Sequence, residues 1–136
     1  MKDNRAVAHA WIRKAESDLT NLEMCLREND ALDTACFHAQ QVAEKYIKAY
    51  LTVENVNFPY IHNLEKLIEL CAQRDPAFAI IKTMGQELTP YAITGRYDAE
   101  FWPSLDQARE ARDAALAIKA FVVARLPAGP KTQAGD

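Results

Sequence analysis

The stretch Phe37–Leu51, FHAQQVAEKYIKAYL, decides the fold, because winding it at about 3.6 residues per turn sorts its side chains into three stripes. Ala35, Ala39, Val42, Ala43, Tyr46, Ile47 and Tyr50 recur at three- and four-residue intervals and suit a core. Thr34, His38, Gln41, Lys45, Lys48 and Thr52 form a polar stripe expected to meet solvent or a phosphate. Between them run Phe37, Gln40, Glu44 and Leu51, too apolar at the ends for a wet face and too polar in the middle for a core. That mixture predicts a subunit interface.

The same period extends to either side. Ala8, Trp11, Ile12, Ala15, Leu19, Leu22 and Leu26 predict a first helix over Asp3–Arg27, broken at Asn29 and Asp30. Asp30 is expected to cap the second helix, which ends near Val53 or Glu54. Asn55–Tyr60 reads as a connector, and a third helix opens at His62 or Asn63 with Leu64, Leu67, Ile68 and Cys71 on one side. Asp75-Pro76 is a start signal for a fourth helix to about Leu88. Thr89-Pro90 repeats it, predicting a kink or a fresh turn as far as Thr94, with Gly95 as a left-handed cap and a loop to Pro103. Ser104 and Gln107 have the spacing of a capping box, followed by a long fifth helix carrying Leu105, Ala108, Ala111, Ala115, Ile118, Phe121 and Val122. The expected fold is therefore all-α, an up-and-down bundle of about five helices over residues 1–126. Residues 127–136, rich in proline, glycine and polar groups, are expected to be a disordered tail.

Composition narrows the function classes. A chain of 136 residues with 49% hydrophobic and 26% charged residues suits one globular domain. Its net charge of −3 argues against a large electrostatic footprint for duplex nucleic acid. The most apolar late stretch, AALAIKAFVVA, is too short for a bilayer and is interrupted by Lys119, so no membrane association and a cytoplasmic location are expected. Cys25, Cys36 and Cys71 lack CxxC spacing and read as small buried hydrophobes. No metal-ligand spacing and no glycine-rich phosphate loop occurs, so no metal and no cofactor is expected.

FHAQQVAEKYIKAYL, then HNLEKLIEL from His62, GRY at Gly95–Tyr97 and SLDQAREA from Ser104 together resemble the HEPN domain, named for its occurrence in higher eukaryotes and prokaryotes. The resemblance covers roughly Ala6 to Leu126. It implies a homodimer, here through Phe37, Gln40, Glu44 and Leu51. Many members are ribonucleases in which an arginine is followed, four to six residues on, by a histidine. Counted from Arg96, the three possible positions hold Phe101, Trp102 and Pro103, and none can accept a proton from a ribose hydroxyl. The catalytic candidates are therefore weak: Arg96, with His38 as a substitute base. His62 reads as a capping or buried hydrogen-bonding residue. Lys45, Lys48, Arg96 and Tyr97 are the nucleotide-binding candidates. Members of the non-catalytic kind often occur beside a small nucleotidyltransferase in a toxin–antitoxin-like pair. That pairing, an interaction module acting with a nucleotidyltransferase, is the leading expectation; an active ribonuclease toxin with a rebuilt site is the alternative. Glu44 and Lys48, four apart, have the spacing of a surface ion pair worth ~0.3–0.5 kcal/mol.

Overall fold

A computed structural model describes residues 3–127, and every regular element within them is helical. Helix α1 (Asn4–Glu28) is capped by Asp3, whose carboxylate accepts the Arg5 N–H at 3.3 Å. The chain then reverses through two residues in the left-handed region, Asn29 and Ala31, both at φ 52°. Asp30 does not cap the next helix as expected; it accepts the Ala31 N–H at 2.8 Å and braces the turn instead.

Helix α2 (Leu32–Val53) is the axis of the bundle: it packs on α1 and on each α-helix that follows, and none of its residues is fully exposed. All seven members of the expected core stripe are buried. The expected wet stripe is not wet, because Gln41 and Lys48 are buried and Thr34, His38, Lys45 and Thr52 are half-buried. A helix surrounded on several sides has no solvent face for its polar residues. They must find partners within the chain.

Helix α3 (Leu64–Ala72) starts at Asn63, which caps the Lys66 N–H at 3.1 Å and buries the four expected residues. Asp75 caps the Ala77 N–H at 3.0 Å with Pro76 at the first position, but the segment it starts, Pro76–Ile81, is a 3-10 turn. Helix α4 (Lys82–Leu88) follows, so the expected fourth helix is divided. Helix α5 (Tyr91–Tyr97) runs three residues beyond Thr94 and takes Gly95 into its interior.

Gly95 is therefore not a left-handed cap; no described glycine has positive φ. What it supplies is proximity. A Cβ at Gly95 would lie 2.9 Å from the Asp33 carbonyl oxygen and 2.9 Å from the Phe37 Cβ, so α5 sits against the α2 backbone only because that atom is missing. Ser104 opens α6 (Leu105–Val123) by accepting the Gln107 N–H at 3.0 Å. Half of the capping box is absent, since the Gln107 amide donates to the Tyr91 hydroxyl at 3.0 Å and ties α6 to α5. The alanine stripe of α6 (Ala108, Ala111, Ala114, Ala115) is buried and lets the helices approach closely. Of the expected disordered tail, all but Pro127 lies outside the described residues. No helix among those residues is long and apolar enough to cross a membrane.

Candidate functional site

Two polar clusters sit on α2, and both are closed by residues from elsewhere in the chain. In the first, Glu44 Oε1 accepts from Gln40 at 3.1 Å, from Gln41 at 3.3 Å and from His62 Nδ1 at 2.8 Å, while Oε2 accepts from Lys48 at 2.8 Å. Gln41 also donates to the Gln40 oxygen at 2.7 Å, and Gln40 reaches the His62 carbonyl at 2.9 Å. The Lys48 ammonium lies over the Trp11 ring at 5.3 Å and near the Phe58 ring at 5.8 Å. Burial works to raise the Glu44 pKa, yet the hydrogen bonds from Lys48, His62 and Gln40 outweigh it and hold the carboxyl below its ordinary value.

This cluster corrects two expectations. Gln40, Glu44 and Leu51 are buried inside a single chain, so they offer no face to a second copy, and only Phe37 of that stripe reaches the surface. The Glu44–Lys48 pair is not a surface contact either, since the two side chains are 4% and 5% exposed. Polar residues placed between a core stripe and a wet stripe look like an interface in sequence. Here they form a network within the chain that fastens the connector before α3 to the axial helix; His62 is hydrogen-bonded to Glu44, but its side chain is 63% exposed rather than buried and Asn63 caps α3.

The second cluster centres on Asp18 of α1, which is buried. Its Oδ1 accepts from His38 Nδ1 at 2.8 Å and its Oδ2 from Lys45 at 2.6 Å. An ionised carboxylate can only accept, so Nδ1 carries a proton and donates it to Asp18. Sequence reasoning passed over Asp18. The available signal was its position, three after Ala15 and four before Leu22, which places a carboxylate on the apolar stripe of α1.

The third feature is exposed. Arg96 and Tyr97, expected in a loop, are on the last turn of α5, and the Arg96 guanidinium lies between the Phe37 ring at 5.1 Å and the Tyr97 ring at 4.9 Å. Arg96 makes no ion pair among the described residues. Ile93 and Tyr97 on the same helix are 65% and 68% exposed, and Trp102 in the loop after it is 75% exposed. Of the positions where a ribonuclease histidine would fall, Phe101 packs on Tyr91 with ring centroids 5.5 Å apart and Trp102 points outward.

The four nucleotide candidates are not brought together. Lys48 is buried against Glu44, Trp11 and Phe58; Lys45 is held on Asp18; Arg96 and Tyr97 share the outer face of α5. Arg96 and His38, the weak catalytic candidates, both pack on Phe37, whose ring lies 5.1 Å from the guanidinium and edge-on to the imidazole at 5.3 Å. No group of three His, Cys, Asp or Glu side chains suited to a metal occurs among the described residues.

Comparison with known proteins agrees with the helical frame. The family model of the HEPN domain matches residues 8–126. The crystal structure of ST0689, an archaeal HEPN homologue, superposes with a TM-score of 0.70 at 23% identity, covering 92% of this chain and 98% of that one. TT1696 from Thermus thermophilus gives 0.72 at 28% identity, covering 88% and 98%. No curated protein matches the chain.

Proposed function

The chain belongs to the HEPN family, and on that premise we propose that it is a non-catalytic interaction module whose contact face is the outer side of α5 and the loop after it, acting with a nucleotidyltransferase partner in a toxin–antitoxin-like pair. One observation carries the reading: Ile93 and Tyr97 on α5 and Trp102 in the loop after it leave three large apolar side chains in water, and Arg96 on the same helix makes no ion pair among the described residues. Aromatic residues with arginine are the side chains that dominate protein interfaces. The nucleotidyltransferase is the partner that the family resemblance implies. Nucleotide association, in the same reading, falls to Arg96 for phosphate and Tyr97 for stacking, because the two lysines are engaged internally.

The test is co-expression with a small nucleotidyltransferase, should an adjacent reading frame encode one, and capture through an affinity tag on either protein. Co-purification that is lost in Tyr97→Ala and Trp102→Ala supports the proposal. Capture unaffected by both substitutions places the contact elsewhere, and no capture at all removes the partner.

A second reading, a ribonuclease with a rebuilt site, has one observation in its favour: the buried Asp18 carboxylate orients His38 as such carboxylates orient catalytic imidazoles. Against it, no hydrogen bond joins His38 to Arg96 among the described residues; each packs on the Phe37 ring instead. Cleavage of single-stranded RNA by the pure protein, abolished in both His38→Ala and Arg96→Ala, would replace the first proposal with the second.

A further inference from the structure

A sizeable cavity lies away from all of these sites. About 720 Å³ in volume, it opens where the start of α1, the end of α2 and the end of α6 come together. Its walls are Ala8 and Ile12 of α1, Tyr46 and Val53 of α2, and Val123 and Leu126 at the end of α6. Tyr46 is one of these walls, and its hydroxyl is already donated to Glu16. Binding cavities for small molecules have about 300–1,000 Å³, apolar walls and a few polar groups that fix orientation.

The polar groups at this cavity are Asp3, Arg5 and His9. Asp3 is committed as the α1 cap. Arg5 and His9, four apart and therefore on one helix face, have no ion pair or side-chain hydrogen bond among the described residues. An apolar chamber with an unpaired guanidinium beside it is complementary to a molecule with an apolar body and a single anionic head. The planar fork of arginine pairs with a carboxylate through two parallel hydrogen bonds.

We propose that this cavity binds a small amphipathic carboxylate, its chain among Ile12, Tyr46, Val53 and Leu126 and its head on Arg5 and His9. The site is independent of the α5 face and of any partner. Decanoate below its micellar concentration is the probe, followed by the backbone amide spectrum of the full chain. Saturable shifts confined to the neighbourhood of Ala6, His9, Val53 and Leu126 are expected. Arg5→Gln, an exposed change, weakens the probe at least about tenfold, as removal of a charged hydrogen-bond partner does. Val53→Trp fills the cavity and abolishes binding. Decyltrimethylammonium, with the same tail and the opposite charge, does not saturate the site. Equal affinity of the two probes, unchanged decanoate affinity in Arg5→Gln, or binding that survives Val53→Trp each overturns the proposal. Vesicles of anionic phospholipid should leave those amides unmoved; shifts there would assign the Arg5 mouth to a membrane surface and overturn it as well.

Discussion

Replacing Glu44 by alanine tests whether α2 is held by an internal ionic network. The substitution leaves the Lys48 ammonium, 5% exposed, without its anion and removes the acceptor of Gln40, Gln41 and His62. Removing one member of a buried ion pair costs ~3–5 kcal/mol, a large part of the ~5–15 kcal/mol that holds a domain folded. At roughly 4 °C per kcal/mol for a chain of this size, the melting temperature falls by about 12–20 °C. The assay is thermal and urea unfolding followed by far-ultraviolet circular dichroism for Glu44→Ala, Lys48→Met and the double variant. Because either single change strands the other charge, the two losses should exceed that of the double variant by ~2 kcal/mol. The Glu44 carboxyl is held below its ordinary value in the folded chain, so its contribution is complete above about pH 4.5 and disappears as pH falls through the folded value. Wild type should therefore lose more stability than Glu44→Gln between pH 5 and pH 3. Losses that add within ~0.5 kcal/mol, or parallel acid profiles, would show the pair to be solvated and refute the reasoning.

Gly95→Ala should destabilise by ~1–3 kcal/mol in urea unfolding, because its Cβ meets backbone atoms of α2 at 2.9–3.0 Å that no rotamer change can move. Asp18→Asn should free the His38 ring, so the imidazole nitrogen shifts in a nitrogen-15 spectrum change, with a stability loss of ~1–3 kcal/mol. Tyr97→Ala and Trp102→Ala, by contrast, should alter stability by less than ~0.5 kcal/mol, since both side chains are in water. In thiol titration of the native chain Cys36 and Cys71 should stay silent until unfolding: burial pushes the Cys36 thiol up to about 12 and Cys71 higher still.

The helical frame was legible because periodicity reports which residues share a face. The stripe from Ala35 to Tyr50, the Asp75-Pro76 start and the Ser104 cap all occur where spacing placed them. Periodicity does not report how many neighbours a helix has. For α2, enclosed on several sides, this turned a wet stripe into a half-buried one and an expected interface into an internal network. Gly95 failed differently: a glycine near a helix end suggests a left-handed cap, whereas here the missing side chain admits the α2 backbone, and α5 continues through it to Tyr97. Pairings such as Asp18 with His38 depend on the contact between α1 and α2, which no local pattern encodes.

Titration of purified nucleotidyltransferase partner into this chain by isothermal calorimetry tests the proposed contact face most directly. The account predicts saturable binding to wild type and at least about thirtyfold weaker binding to Trp102→Ala, the loss expected of a central aromatic anchor. Equal affinity for the two proteins, with the helical spectrum intact in both, would contradict it.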